Sequence, residues 1–310
     1  MLALPKSFTR TITQTFGAAG RRWLAELPAL LERCQARWGL VLLPPFELSY
    51  NYVAPAVLPG GRPCVLKLGL PRELTREIAA LRLYGGEGAV RLLDADPGMG
   101  ALLLERLLPG RSLHDDWDGD PVNDEEAARA AALVMIGLWR AAPEGHPFLP
   151  LADWAEGLRD LRARFGGGSG PLPERLVDRA EGVFAELLGS SPPLLLHGDL
   201  HHGNILSARR DAGALASFAI DPKGVVGDAG YEVGAFLRNP APRVAKHPGL
   251  KGLLERRIAV LAETLAMDAR DVAAWGLAHA VLSAWWDLED GNGGWEAATA
   301  CAAALSDLTP

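Results

Sequence analysis

The chain of 310 residues is 49% hydrophobic and carries a net charge of −7, from 31 Lys and Arg against 38 Asp and Glu. This length and apolar content suit two domains or one large two-lobed unit with a substantial core, and they exclude disorder as the main state. The acidic balance is wrong for a protein that lives on nucleic-acid phosphate or anionic lipid, and it is compatible with a small cationic ligand.

Pro5 and Lys6 interrupt the apolar start, so no export signal is expected. The longest apolar run, Ala130 to Trp139, falls short of the ~18 residues of a membrane span. Cys34, Cys64 and Cys301 are widely separated and form no C-x-x-C pair, which argues against a disulfide framework or a cysteine zinc site. A reducing cytoplasm is the expected location.

Trp23, Leu27, Leu30, Leu31, Cys34 and Trp38 recur at helical spacing, predicting an amphipathic helix over about 20–38, bent at Pro28 and ended by Gly39. Residues 46–58 and 62–70 read as two strands around the turn Pro59-Gly60-Gly61, with Lys67 on the second. Leu74, Ile78, Leu81 and Tyr84 predict a helix closed by Gly85-Gly86. Apolar stretches at 89–96 and 100–108 around Asp96-Pro97-Gly98 complete a small sheet.

Past the hinge Pro109-Gly110 the chain turns helical. Asn123 with Glu126 predicts a capping box and a helix to about Arg140, and further helices are expected near 151–164, 174–188, 230–238, 250–266 and 270–290. The glycine-rich connector after Phe165 has no phosphate-loop spacing. One extended island, residues 194–228, interrupts these helices. The expected architecture is α+β and two-lobed, with residues 1–106 as a small sheet lobe and 107–310 as a larger, mostly helical lobe.

Walker A, G-x-G-x-x-G, H-E-x-x-H and G-x-S-x-G motifs are absent from the sequence. Present instead is His197-Gly198-Asp199-Leu200-His201-His202-Gly203-Asn204, followed seventeen positions later by Asp221 at the end of an apolar strand. H-x-D-x-x-x-x-N is the spacing of a kinase catalytic loop, in which a carboxylate meets the acceptor hydroxyl and hard oxygen donors hold Mg2+. Asp199 supplies the carboxylate, and Asn204 and Asp221 the metal ligands. Only five lysines occur in the chain, and Lys67 stands on a strand where its ammonium would meet nucleotide phosphates. Glu77 on the next helix can hold it by an ion pair, although Glu73, one turn earlier, could take that place.

These features resemble the aminoglycoside phosphotransferase family with its bilobal protein-kinase-like fold. HGDLHHGNIL, AIDPKGVVGD, YEVGAFLRNP, GAVRLLDAD, ALLLERLLPGRSL and SAWWDLEDG are similar to the streptomycin 6-kinase and hydroxyurea phosphotransferase branch, and the likeness covers nearly the whole chain. It implies ATP and Mg2+ as cofactors, Asp199 as catalytic base, Asn204 and Asp221 as metal ligands, and Lys67 with Glu77 on the phosphates. It also implies that the backbone from Glu105 to Leu107 receives the adenine. The segment Leu48-Ser49-Tyr50-Asn51-Tyr52-Val53 would cover the phosphates, through Ser49 and Asn51, without the glycines of a protein-kinase loop. Pro222-Lys223-Gly224 replaces the Phe-Gly that follows this aspartate in protein kinases.

His197 is expected to orient the loop, because imidazole is a poor magnesium ligand, and Glu232 to pin the loop. Lys223 has two open readings, a γ-phosphate contact or pairing with a carboxylate. A cationic aminoglycoside would need acidic lining, for which Asp115, Asp116, Asp118, Asp120, Asp287, Glu289 and Asp290 are candidates. Trp285, Trp286 and Asp287 or Glu289 stand out among them. The implied activity is transfer of phosphate to an aminoglycoside hydroxyl, streptomycin first. A metabolic kinase for a sugar or amino alcohol would use the same residues, and a non-catalytic nucleotide-binding protein is the third reading. Nothing in the sequence speaks to oligomeric state.

Overall fold

The computed structural model describes residues 4–210, 213–291 and 293–309. Two units emerge, one from residues up to Gly86 with Val90–Leu107, the other from Glu87–Ala89 with the chain from Leu108 onward.

In the first unit, α1 (Lys6–Trp38) ends where Gly39 takes the left-handed conformation. The helix starts well before residue 20, because Phe8 and Ile12, isolated apolar residues in a threonine-rich stretch, are both fully buried. Its non-helical break is at Gly17, φ 55°, and Pro28 lies inside the helix. Then come β1 (Val41–Leu42), β2 (Tyr52–Val57), β3 (Pro63–Leu68), α2 (Pro71–Tyr84), β4 (Leu92–Asp96) and β5 (Ala101–Glu105). They form an antiparallel sheet of order β1-β2-β3-β5-β4.

Period-two alternation along β3 decides what faces what. Leu66 and Leu68 enter a core with Trp23, Leu27, Leu30 and Leu31 of α1, and Lys67 between them points to the opposite face. Helix α2 begins with Pro71 in its first turn and closes at Gly85, in the left-handed region. Its buried residues Leu74, Ile78 and Leu81 share a stripe with Glu77.

The second unit begins with β6 (Pro109–Ser112), so the expected Pro-Gly hinge is a strand that pairs with β9. After α3 (Leu113–Asp116) and α4 (Pro121–Leu138) come β7 (Leu149–Pro150), α5 (Leu151–Arg164), α6 (Glu174–Leu187) and β8 (Leu194–Leu196). The hairpin β9 (Ile205–Arg209) and β10 (Leu215–Ala219), then β11 (Val225–Gly227), complete the extended island. Helices α7 (Val233–Leu237), α8 (Leu250–Leu265), α9 (Ala269–Glu289) and α10 (Trp295–Ser306) follow.

Asp120, not Asn123, caps α4, accepting from the backbone N–H groups of Val122 and Asn123 with Pro121 next to it. The expected capping box is therefore replaced by an earlier start, since proline at the first helical position fixes φ for entry. Helix α10 was not expected; its alanine-rich sequence has too little apolar contrast to show a period. Helix α9 is the centre, buried on nearly every side from Val272 to Trp285 and packed by α5, α6, α7, α8 and α10. Among the described residues no helix is long and apolar enough to cross a membrane.

Candidate active site

In the first unit, Lys67 Nζ lies 2.8 and 2.7 Å from the two carboxylate oxygens of Glu77. Both side chains are about 95% removed from solvent, at 6% and 5% exposure. Such burial is costly to both charges and is offset by their attraction, so removing either one strands the other. Glu73 is exposed, which settles the choice between the two acids for Glu77. Ser49 is exposed and Asn51 half-buried in the bend before β2. The carbonyl of Asn51's side chain occupies the space a Cβ on Gly69 would fill, so a side chain at Gly69 would displace that amide. Glu105 Oε1 accepts from the Arg91 N–H at 2.7 Å, and Leu107 is buried at the end of the unit.

In the second unit, β8 delivers the chain into the loop 197–204, and the β9–β10 hairpin leads out of it to Asp221. His197 is fully buried and ties the two ends together. Its Nε2 lies 2.8 Å from the Ile220 carbonyl, and its Nδ1 accepts from the Asp199 N–H at 3.2 Å. A carbonyl only accepts, so the ring is the Nε2–H tautomer. Burial pushes its pKa down to about 4 and keeps it neutral. Its carbonyl accepts from Lys223 N–H at 2.7 Å, and Ile220 N–H donates to the Asn204 carbonyl at 2.9 Å. One imidazole thus registers the segment carrying Asp199 against the one carrying Asp221.

Glu232 holds the loop from beneath. Its two oxygens accept from the backbone N–H groups of His197 and Gly198 at 2.6 and 2.9 Å, and burial raises its pKa to about 7. Gly198 has φ 86°, and a Cβ there would meet Trp154 and Val225 at 3.0 Å, so both conformation and space demand glycine. Asp228 accepts from the Gly189 and Ser191 N–H groups.

Asp199 is partly exposed, its carboxylate 3.8 Å from His201 Nε2. Asn204 donates its amide N–H to the Asp199 main-chain carbonyl at 2.9 Å, which leaves Oδ1 without a hydrogen bond among the described residues. Asp221 sits at φ 62°, a left-handed conformation uncommon outside glycine. Lys223 Nζ meets its Oδ2 at 2.8 Å, so the carboxylate-pairing reading of Lys223 holds here. An amide oxygen and a carboxylate are hard donors suited to Mg2+ completed by phosphate oxygens and water. The residues fit that ion. No group of three or more His, Cys, Asp or Glu able to hold a metal occurs among the described residues.

Of the acceptor candidates, Trp285 is 2% exposed and packs against Gly157, so its side chain is core. Its neighbour Trp286 is half-exposed, a consequence of the 100° step between successive helical residues. Asp287 is half-buried and its carboxyl is raised by burial, while Glu289 is exposed at the end of α9. Asp115 and Asp120 are committed as helix caps and Asp116 pairs with Arg111. Trp154, which lies against Gly198, was not singled out; an isolated tryptophan in a helical stretch carries no local signal.

The sequence profile of the aminoglycoside/hydroxyurea antibiotic resistance kinases matches residues 46–291. The chain belongs to this kinase family. It is 34% identical over 298 residues to the streptomycin 6-kinase of Streptomyces glaucescens, covering 94% of this chain and 93% of that one. It is 33% identical over 306 residues to the hydroxyurea phosphotransferase of Kitasatospora aureofaciens, covering 94% and 82%. Its fold is similar to that of the macrolide 2'-phosphotransferase of Brachybacterium faecium, with TM-score 0.57 and 22% identity, covering 91% of this kinase and 98% of that chain. The kinase is thus α+β and protein-kinase-like, a phosphotransferase by family, and its loop 197–204 and Asp221 lie inside the matched segment.

Proposed function

We propose that this kinase transfers phosphate from ATP to a hydroxyl of an aminoglycoside, streptomycin first. The observation that carries the reading is the single hydrogen-bonded array that presents Asp199, Asn204 and Asp221 through His197 and Glu232. Similarity to streptomycin 6-kinases supplies the acceptor, and the net charge of −7 suits a polycation.

In this reading Asp199 accepts the proton of the acceptor hydroxyl while that oxygen bonds to the γ-phosphorus. The bond from phosphorus to the β,γ-bridging oxygen breaks and ADP leaves. Asn204 and Asp221 hold Mg2+, which when bound neutralises charge on the phosphates. Lys67, kept in place by Glu77, meets the α- and β-phosphates. The backbone of Glu105–Leu107 takes the adenine, and Ser49 and Asn51 lie over the phosphates. Residues 1–106 serve as nucleotide lobe and 107–310 as catalytic and acceptor lobe, with Asp287 and Glu289 as acceptor-side acids. Trp285, being core, shapes that side only through packing.

The test is phosphoryl transfer from Mg-ATP to streptomycin, read as product mass, with Asp199→Asn alongside. The expected result is a product one phosphate heavier with the wild type and a loss of kcat of about 10²-fold or more in the variant, with nucleotide affinity retained. Full activity in Asp199→Asn overturns the assignment. Similarity to hydroxyurea phosphotransferase favours a second acceptor class, a small neutral hydroxyl compound. Transfer to hydroxyurea or a sugar but not to streptomycin would select it.

A further inference from the structure

We propose that Trp154 and Trp286 form an aromatic corner that receives a planar guanidinium group of the acceptor, with Asp287 as its counter-charge. The inference rests on the aminoglycoside reading and names what that site recognises. Trp154 on α5 and Trp286 on α9 meet edge-to-face, with ring centroids 5.3 Å apart and planes crossed at 79°. Both are half-exposed, whereas Trp275 and Trp285 on the same α9 are buried. Leaving two large rings partly in water forfeits burial that the core would otherwise gain.

The corner stands beside the reacting residues. The tip of Trp154 comes within 3.0 Å of the position a Cβ would take on Gly198, and Lys223 Cβ lies 3.4 Å from the same point. Those two residues flank Asp199 and Asp221. The rings are also rigidly backed. Tyr231 packs on Trp154 at 5.9 Å, His279 on Trp286 at 6.4 Å, and Tyr231 on His279 at 5.1 Å.

Two perpendicular indoles present one ring face and one ring edge, and a delocalised, weakly hydrated cation stacks on such a face. Asp287 follows Trp286 directly and lines a cavity of about 430 Å³ with Gly293, Gly294 and Ala297. Arg238 lines it too, and its positive charge favours the ionised form of Asp287 against the burial that raises its carboxyl. A ring face attracts an ammonium as well, but a compact, strongly hydrated ammonium gains less there than a planar, weakly hydrated guanidinium. The indoles specify a guanidinium, the group that the streptidine ring of streptomycin carries.

The experiment uses the full chain with Trp286→Leu, Trp286→Phe and Trp154→Leu, reading KM for streptomycin, KM for ATP, and equilibrium binding of streptidine against 2-deoxystreptamine, its ammonium counterpart. The expected result is a rise of about tenfold in the streptomycin KM for either leucine variant, largely recovered by Trp286→Phe, with the ATP KM within about twofold. Streptidine binding weakens in parallel and 2-deoxystreptamine binding does not. Unchanged streptomycin KM in folded Trp286→Leu and Trp154→Leu overturns the corner while leaving the phosphotransferase reading intact. A wild type that phosphorylates another alcohol but not streptomycin overturns the aminoglycoside reading instead. In that event streptidine binding decides the corner, loss in the leucine variants supporting it and absence of wild-type binding refuting it.

Discussion

The guanidinium of Arg257 on α8 and the carboxylate of Asp124 on α4 form a pair with no more than 1% exposure on either side. Three N–H···O contacts of 2.6–3.1 Å join them across 133 residues. Trp117 Nε1 donates to the same carboxylate at 2.7 Å, and Arg257 also donates to the carbonyls of Phe236, Leu237 and Asn239. His202, in the short turn that carries Asn204, stacks on Phe236 with centroids 4.1 Å apart, its Nε2 3.3 Å from Arg257. One buried cation therefore joins α4, α7 and α8 to the loop 197–204.

Replacing Arg257 with alanine leaves Asp124 charged and buried and orphans three carbonyls. The expected loss is about 3–5 kcal/mol, read as a shift in the urea midpoint at unchanged slope. Arg257→Lys retains charge but not the planar fork, and it should recover only part of that loss. A variant as stable as the wild type would show that the network contributes nothing.

Asp221 combines a left-handed backbone with a side chain paired to Lys223. Asparagine tolerates that conformation, so Asp221→Asn removes the charge while sparing the backbone. The expected outcome is a fall in kcat of at least about tenfold and a shift of the Mg2+ activation curve to higher concentration, with the unfolding midpoint at or above that of the wild type. An unshifted Mg2+ titration would remove Asp221 from the metal.

His197 should leave a signature in stability against pH. Its folded pKa of about 4 lies below the ordinary 6.5, so between those values the unfolded chain binds more protons than the folded one. Its contribution is thus fully present above pH 6.5 and is lost as pH falls toward 4. Glu232, raised from 4.5 to about 7, acts in the opposite sense, with stability falling as pH rises through that range. His197→Gln keeps a donor for the Ile220 carbonyl and does not titrate. Its destabilisation relative to the wild type should therefore shrink by ~2 kcal/mol between pH 7 and pH 5. Urea unfolding at both pH values measures this, and a pH-independent difference would contradict it.

Much of the site was legible because its parts lie close along the chain. The spacing from His197 to Asn204 specifies one loop, and the apolar run before Asp221 specifies a strand that returns beside it. Lys67 and the acids of α2 were legible too, yet only as a choice between Glu73 and Glu77. Burial of one helical face made that choice, because only an acid on the apolar stripe with Leu74 and Ile78 can reach Lys67. At the other extreme, α10 and the first turns of α1 gave no readable period, since alanine- and threonine-rich stretches offer little contrast between faces.

What the sequence determined by itself was the two-part α+β plan, the kinase loop and the order of its chemical groups. Each of these is written in periodicity, turn residues and short fixed intervals. The tertiary structure alone decided that Arg257 meets Asp124 and that Trp154 meets Trp286 rather than Trp285. Those pairings join residues tens of positions or more apart. They depend on which face of each helix turns inward, and a rotation of 100° from one residue to the next separates a core side chain from an exposed one.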